Sequence, residues 1–400
     1  MLGRGSGGQI DIQAPEALDY ENAYIGIREE VCATKLRFSA SKVAAVVGLH
    51  EYGDLVEEFI EFLYQDLEEL LVIDASLLQM EVTSKESELH ALIRKSGADA
   101  AALIDIVRWT AETKTAAKID KANEKTKDAQ KHIENARKRK RLTADEAKLL
   151  QDGIASKVRQ SVGKRNEQLA IEIYEARNGL RVHSTNDKFY FLLFPHPRQA
   201  KALASSSSQC ACHEAKALER FIERVALDRK AATSNEAVAT VNKSHFFSIC
   251  GMIDGTADML VISDDNDDDT WSTEPILVEV KNRMARFRDP VPLHDCIQMA
   301  VYMKMINVRH GDMVQCLHRN DETTIHISRV SLDAYPLTAA AAPCACQCTT
   351  DLWASLVVPR LYEYATLVYL FRTQDLRRLA FMQAPPETQR RMLREALNYL

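Results

Sequence analysis

A stretch of about 80 residues, from Thr83 to Val162, constrains the fold more than any other part of this 400-residue chain. Charged residues and alanine dominate it, and apolar residues recur only intermittently, which is typical of helices that bury one narrow face. Thr143-Ala-Asp-Glu146 is a capping box, in which side chains bond the free amides of a helix start. The pattern predicts a protruding hairpin of helices that turns near residues 138–144.

The remaining sequence alternates between strand-like and helical patterns, which indicates an α/β fold. We expect a helix from Leu36 to Gly48, capped by Ser39 or Ser41, and closing helices from about Asp351 onward. Between them we expect further helices at 163–177, 214–226 and 295–306. Strands are expected at 180–182, 189–194, 276–280, 313–317 and 323–330, with one or two more within 245–262.

Composition excludes several classes of protein. With 46% hydrophobic and 27% charged residues the chain is globular in type, and no apolar run approaches the ~20 residues that cross a bilayer. The first residues lack a basic region followed by an apolar block, so we expect an intracellular protein, in the nucleus, the mitochondrion or elsewhere. The net charge of −6 is unusual for a nucleic-acid binder, so any contact with DNA must come from local patches.

The segment Ile276-Leu-Val-Glu-Val-Lys281 carries the strongest chemical signal. Side chains alternate along a strand, so Glu279 and Lys281 share a face, and burying this pair is costly unless it serves a function. Glu279 offers oxygen ligands suited to Mg²⁺, and Lys281 can orient a water or stabilise charge on a phosphate. Taken alone, the pair also fits a surface ion pair on an edge strand.

Two aspartates precede this strand, Asp254 and Asp258. A hairpin around the acidic loop 264–269 brings one of them beside Glu279, where two carboxylates need a cation to offset their repulsion. One register of this hairpin puts Asp258 opposite Glu279, and the alternative for Asp254-Gly255 is a plain turn.

Two predicted helices supply further candidates. Glu167 shares a helical face with apolar residues, which makes it a candidate metal ligand or a helix-edge residue. Gln298 and Tyr302 are four residues apart and therefore face the same way, where they could orient Lys281 or a phosphate.

In this order the motifs resemble the YqaJ-type viral recombinase and lambda-exonuclease family of PD-(D/E)XK nucleases, and they are also similar to the RecB-type nuclease domain. The resemblance covers about residues 36–55 and 160–335 and rests on five motifs: Ser39 to Gly48, Gly163 to Glu167, Gly251 to Gly255, Glu279-Val-Lys281 and Gln298 to Tyr302. It implies a PD-(D/E)XK restriction-endonuclease-like core with a central mixed sheet flanked by helices. Residues 56–159 are then an inserted helical arm, 1–35 a loosely structured lead-in and 336–400 C-terminal helices.

The resemblance also implies an activity: Mg²⁺- or Mn²⁺-dependent hydrolysis of DNA, as an exonuclease on double-stranded ends in recombination or repair, with a ring-shaped homo-oligomer and no membrane partner. It assigns the metal to Glu167, Asp254 and Glu279, with catalytic support from Lys281, Gln298 and Tyr302. Its Asp-Gly pattern favours Asp254 over Asp258. Two alternatives are an inactive nuclease-fold protein that binds nucleic acid and a helical interaction protein.

Phosphate binding is expected from Ser41 and Lys42 and from the basic residues Arg283, Arg286 and Arg288. The run Arg137-Lys-Arg-Lys-Arg141 could bind phosphates, act as a nuclear localisation signal or form a solvated turn. Cys210-Ala-Cys-His213 and Cys344-Ala-Cys-Gln-Cys348 could together hold zinc, but their spacing differs from usual zinc sites and favours free thiols.

Overall fold

The computed structural model describes residues 23–51, 53–81, 84–112, 115–197, 218–232, 245–263, 270–319, 322–333 and 352–399. These residues form an α/β protein with two mixed sheets flanked by helices. Within these ranges, none of the helices combines the length and the hydropathy that crossing a bilayer requires.

Nine strands make up the two sheets in the described residues: β1 (Leu36–Ser39), β2 (Val182–His183), β3 (Lys188–Phe194), β4 (Glu223–Asp228), β5 (Phe247–Gly251), β6 (Gly255–Ser263), β7 (Thr270–Asn282), β8 (His310–Arg319) and β9 (Glu322–Ser331). The first sheet has the order β1-β5-β3-β4, and the second has the order β2-β6-β7-β8-β9. Strand β1 runs parallel to β5, and β7 runs parallel to β8, while the other pairs are antiparallel.

The helices among the described residues are α1 (Arg28–Ala33), α2 (Val43–Val46), α3 (Leu55–Leu63), α4 (Glu68–Leu78), α5 (Lys85–Lys95), α6 (Ala100–Thr110), α7 (Ile119–Lys138), α8 (Ala144–Asn178), α9 (Arg229–Ala232), α10 (Leu293–Ile306), α11 (Val358–Thr373), α12 (Asp375–Gln383) and α13 (Pro386–Ala396). Single turns of 3₁₀ helix precede α2 and α6, and a π turn at Trp353–Val357 precedes α11. The expected C-terminal helices are therefore confirmed.

Strand β7 is covered on both faces. Ile276, Val278 and Val280 pack with α8 in one hydrophobic cluster, whereas Leu277 belongs to the larger cluster that includes α10. Because α10 connects the parallel strands β7 and β8, it crosses over the face opposite α8. Glu279 and Lys281 alternate with the α8-facing residues and so share the face of Leu277.

The helices from α5 to the first half of α8 have a hydrophobic cluster of their own. Along the hairpin of α7 and α8, Ala129, Ile133 and Ala136 of α7 and Leu150 and Ile154 of α8 belong to it. The capping box forms as expected: the Thr143 side chain accepts from the Glu146 amide at 3.2 Å, and Glu146 accepts from the Thr143 amide at 2.9 Å. The helical prediction for this stretch is confirmed for the described residues, but Gly163 lies inside α8 and does not begin a separate helix.

Two expected helices are wrong in part. Leu36 to Gly48 begins as strand β1, because Leu36 and Phe38 alternate with half-exposed residues and the backbone pairs with β5. Helix in this range is confined to the 3₁₀ turn Ala40–Lys42 and to α2, and Gly48 follows with a left-handed φ of 71°. Of the expected helix 214–226, Leu218 and Glu219 are helical, whereas the residues from Glu223 onward form strand β4 and pair with β3. Residues 214–217 lie outside the described residues.

Three expected boundaries also differ from the structure. Tyr24, Ile27 and Val31 are buried, so the described part of 1–35 is packed and not a loose lead-in. Helices α3 and α4 pack into the main cluster, so the separate cluster of the arm begins with α5 and not at residue 56. Strand β7 begins at Thr270, six residues before the expected start at Ile276.

Candidate functional site

Glu279, Lys281, Gln298 and Tyr302 form one hydrogen-bonded group. The Lys281 ammonium donates to Glu279 Oε1 at 2.9 Å and to Gln298 Oε1 at 2.8 Å. The Gln298 amide nitrogen in turn donates to Glu279 Oε1 at 3.1 Å and to the Tyr302 hydroxyl at 3.3 Å. The side chain of Glu279 is only 3% exposed and that of Lys281 is 22% exposed. The end of β7 and one face of α10 therefore meet as their sequence spacing predicts.

Asp254 lies where the chain leaves β5 of the first sheet and enters β6 of the second. Its Oδ2 accepts a hydrogen bond of 2.7 Å from the backbone amide of Val280. Gly255 pairs with Val278, so Asp254 extends this ladder to the level of Glu279. The main chain of β7 thus fixes the orientation of the Asp254 carboxylate.

Asp258 pairs with Pro275, and its side chain is exposed. It lies four residues beyond Asp254, about 13 Å along the strand at the usual rise. The expected register, with Asp258 opposite Glu279, is therefore wrong. The observed pairing runs outward from Ser263 and Thr270 and is symmetric about 264–269, and Asp254 and Glu279 each lie ten residues from that loop.

Glu167 comes to the site on α8. Its Oε1 accepts a hydrogen bond of 2.6 Å from the Asn186 side chain. One turn earlier on α8, the carbonyl oxygen of Gly163 accepts from the Asn282 side chain at 2.8 Å, which ties α8 to the end of β7. The helix therefore holds Glu167 beside the strand that carries Glu279.

Electrostatic interactions link the three carboxylates. Burial, followed by the charges of Glu279 and Glu167, raises the pKa of Asp254 well above its usual value. Burial also raises the pKa of Glu279, and Glu167 raises it further, against the opposing effect of Lys281. Burial lowers the pKa of Lys281, but Glu279 and Asp295 outweigh this and raise it. The cluster is thus rich in acid: Glu167 interacts with Asp254 and Glu279, and these two carboxylates also interact with Lys281.

The donor set suits a hard divalent cation. Glu279 Oε2 is buried without a hydrogen-bond partner, although Oε1 of the same carboxylate has two. The hydrogen bonds to Asp254 from Val280 and to Glu167 from Asn186 each use one carboxylate oxygen. Among the described residues, no group of three or more His, Cys, Asp or Glu side chains is already assembled with the geometry of a metal site. The oxygen chemistry therefore fits Mg²⁺ or Mn²⁺, but coordination would require these carboxylates to draw together.

A glycine makes the close approach of α10 possible. A Cβ at Gly251 would stand 2.8 Å from Tyr302 Cε1 and 3.2 Å from Ala40 Cβ, closer than side chains tolerate. Gly251 therefore lets the Tyr302 ring lie against β5, where its hydroxyl reaches Gln298.

Two groups near the site were not anticipated from the sequence. Asn186 holds Glu167 from a turn between β2 and β3, and nothing in its local sequence indicates this. Asp295 is buried in the first turn of α10, where it accepts from Arg283 at 2.7 Å and helps to raise the pKa of Lys281. Its spacing of three residues from Gln298 was a signal that could have placed it on the same helical face.

The basic residues expected to bind phosphate have different surroundings. Arg283 is 14% exposed, pairs with Asp295 at 2.7 Å and donates to Gln315 at 2.8 Å, and its expected contact with phosphate stays a prediction. Lys42 forms salt bridges with Glu58, at 2.8 Å, and Glu61, so its charge is already balanced.

Ser41 and Arg286 are exposed, and Arg288 is half-buried. The backbone of Arg288 is fixed by the buried Gln315, whose side chain bonds the Arg288 amide at 2.9 Å and its carbonyl at 2.8 Å. Surface for phosphate binding thus remains in the loop after β7. The cysteine and histidine residues of the expected zinc alternative lie outside the described residues.

Comparisons of the chain with protein-family models, with curated proteins and with solved structures found no match. Function must therefore be argued from the chemistry of the site.

Proposed function

We propose that this protein is a Mg²⁺- or Mn²⁺-dependent DNA nuclease of the PD-(D/E)XK class. The observation that carries the proposal is the acid-rich cluster of Glu167, Asp254 and Glu279 beside Lys281, in which each carboxylate comes from a different element. Three interacting carboxylates and one ammonium leave net negative charge at a site where Glu279 is buried. A divalent cation would offset this charge with the oxygen ligands it prefers.

The order of elements around the cluster supports the PD-(D/E)XK assignment. Helix α8 carries Glu167, the start of β6 follows Asp254, β7 carries Glu279 and Lys281, and α10 carries Gln298. Strands β6 and β7 are antiparallel, and α10 leads into β8, which is parallel to β7. These elements bring Glu167, Asp254, Glu279, Lys281 and Gln298 to the second mixed sheet, which supports the assignment.

The side chains of this chain have distinct tasks in the proposed hydrolysis. Lys281 stays protonated, because nearby carboxylates raise its pKa, and can donate to a phosphate oxygen or hold the attacking water. Gln298 fixes Lys281 and Glu279 relative to each other through hydrogen bonds to both. A bound divalent cation would supply water activation and neutralisation of the phosphate.

The proposal extends, by resemblance alone, to an exonuclease that acts on double-stranded ends in recombination or repair as a ring-shaped homo-oligomer. End-labelled linear duplex and closed circular DNA, each with Mg²⁺, Mn²⁺ or EDTA, test the activity. We expect loss of the linear substrate with either metal, survival of the circle and no cleavage in EDTA. Light scattering tests the oligomer.

Three other outcomes of the assay have separate meanings. Cleavage of the circle would identify an endonuclease and retain the active site. Binding of DNA without cleavage in either metal would favour the inactive nucleic-acid-binding alternative. Neither binding nor cleavage by folded protein would contradict the proposal and favour the helical interaction protein.

A further inference from the structure

The turn between α7 and α8 carries five consecutive basic residues, Arg137 to Arg141, and all five are exposed. Two of them stabilise the turn: Arg137 pairs with Glu134 at 2.7 Å and Arg139 with Asp99 at 2.9 Å. The side chains of Lys138, Lys140 and Arg141 form no salt bridge or hydrogen bond with any residue that the structure describes. This tip patch (Lys138, Lys140 and Arg141) is thus a local positive surface on a chain of net charge −6.

The tip patch stands at a fixed distance from Glu167. Helix α8 runs without interruption for 35 residues, from just beyond the patch, at Ala144, past Glu167 to Asn178. At 1.5 Å per residue, Ala144 and Glu167 are about 35 Å apart along the helix. Packing of α7 against α8 in the cluster of the arm keeps this length stiff.

The base of the arm is fastened beside the site. The Asn166 side chain, adjacent to Glu167, accepts from the Ala117 amide at 2.7 Å and donates to the Ala117 carbonyl at 2.9 Å. Arg165 donates to the Thr115 hydroxyl at 2.8 Å, and its guanidinium lies 5.1 Å from the centre of the Trp109 ring. The segment that leads into α7 is thereby fixed to α8 at the level of Glu167.

We propose that the arm spans one turn of duplex DNA, so that the tip patch binds backbone phosphates about ten base pairs from the phosphodiester held at the acid cluster. This inference rests on the proposed function. One turn of B-DNA rises about 34–36 Å, which matches the length of α8 between the tip and Glu167. Lysine and arginine bind phosphates without regard to sequence, as a nuclease of this kind requires.

Binding measurements on the full-length protein test this inference without cleavage. Fluorescence anisotropy in EDTA compares blunt duplexes of 8 and 24 base pairs, over a series of salt concentrations, for wild type and the triple variant Lys138→Ala, Lys140→Ala, Arg141→Ala. We expect the variant to lose roughly tenfold or more in affinity for the long duplex and to keep its affinity for the short one. The slope of the logarithm of its affinity for the long duplex against the logarithm of the salt concentration should correspond to about three phosphate contacts fewer than in wild type.

A matched control removes the same charge elsewhere. The variant Arg377→Ala, Arg391→Ala, Arg394→Ala changes three exposed arginines of α12 and α13 and should bind both duplexes like wild type. Two results would overturn this inference alone. One is an equal loss of affinity for both duplexes in the tip variant. The other is wild-type affinity of the tip variant for the long duplex while the wild-type protein cleaves DNA in Mg²⁺. A wild-type protein that neither binds nor cleaves DNA would overturn the proposed function with it.

Discussion

Two buried charged clusters in this protein differ in how their charges are satisfied. In the first, Asp74 of α4 and Arg378 of α12 are both almost fully buried. The Asp74 carboxylate accepts from Arg378 at 2.6 and 3.2 Å and from the hydroxyls of Tyr24 and Tyr64. In the second, Asp254 and Glu279 interact with Lys281 and with Glu167, and Glu279 Oε2 is buried without a hydrogen-bond partner.

The difference shows which buried charges indicate a binding site. A carboxylate matched by a guanidinium and by hydrogen bonds to both oxygens is complete, and it holds helices together. Asp312 is a second example, since it accepts from Tyr174 at 2.7 Å and pairs with Arg329. Carboxylates that outnumber their cations and retain an unpaired oxygen are incomplete, and they indicate a ligand.

The largest effect should follow removal of either charge at the end of β7. We expect Glu279→Ala and Lys281→Ala each to lower the rate of metal-dependent DNA cleavage by about 10³-fold or more, because each removes charge stabilisation in the transition state. Circular dichroism should show an intact fold. Asp258→Asn is the matched control, since it removes an exposed acid of the same hairpin and should cleave like wild type. Wild-type rates in both β7 variants would exclude this site.

In the cluster of Asp74 and Arg378, removal of one partner should lower the free energy of unfolding. Arg378→Ala leaves the Asp74 carboxylate buried without its cation, so we expect the free energy of unfolding to fall by about 3–5 kcal/mol. Guanidinium chloride unfolding measures this. A loss below about 1 kcal/mol would show that the cluster is no structural element and would remove one side of the comparison.

In the cluster of Glu167, Asp254 and Glu279, removal of one charge should raise the free energy of unfolding. In Asp254→Asn the side-chain oxygen can still accept from the Val280 amide, while the repulsion from Glu279 and Glu167 is lost. We expect the free energy of unfolding in EDTA to rise by about 0.5–2 kcal/mol, the usual range when a strained functional group is relieved. Cleavage should be lost in the same variant. Destabilisation would mean that Asp254 serves the fold and not a ligand.

The smallest effect concerns alkaline pH. Burial and the Asp74 carboxylate raise the pKa of Tyr24 and Tyr64 far above the usual value of 10.0. Their contribution to stability is therefore complete below about pH 10 and is lost as the pH rises, since only the unfolded tyrosines ionise there. For each tyrosine, the free energy of unfolding should be about 0.8 kcal/mol lower at pH 10.5 than at pH 8. In Tyr64→Phe, the decrease in the free energy of unfolding between these two pH values should be smaller by that amount. An unchanged decline in the variant would contradict this.

The sequence predicts the parts of the site that depend on spacing within one element. Glu279 and Lys281 share a face because strands alternate, and Gln298 and Tyr302 meet because a helix repeats every 3.6 residues. Pairing between elements was less predictable. The choice between Asp254 and Asp258 depends on where β7 begins, and a polar segment such as Thr270 to Glu274 gives little sign of that.

Long-range partners were beyond sequence reasoning. Asp74 and Arg378 are separated by 304 positions, and Glu167 and Asn186 meet only because α8 and the turn after β2 pack together. Leu36 to Gly48 shows a further limit, since a short apolar pattern fits both a strand and a helix until its pairing with β5 decides.

The most direct test of the central claim is anomalous diffraction from crystals soaked in Mn²⁺. We predict a peak about 2 Å from carboxylate oxygens of Glu167, Asp254 and Glu279, and no peak at the complete cluster of Asp74 and Arg378. The carboxylates of Glu167, Asp254 and Glu279 should draw together around the ion. A protein that cleaves DNA with Mn²⁺, yet shows the ion only away from these three residues, would contradict the account.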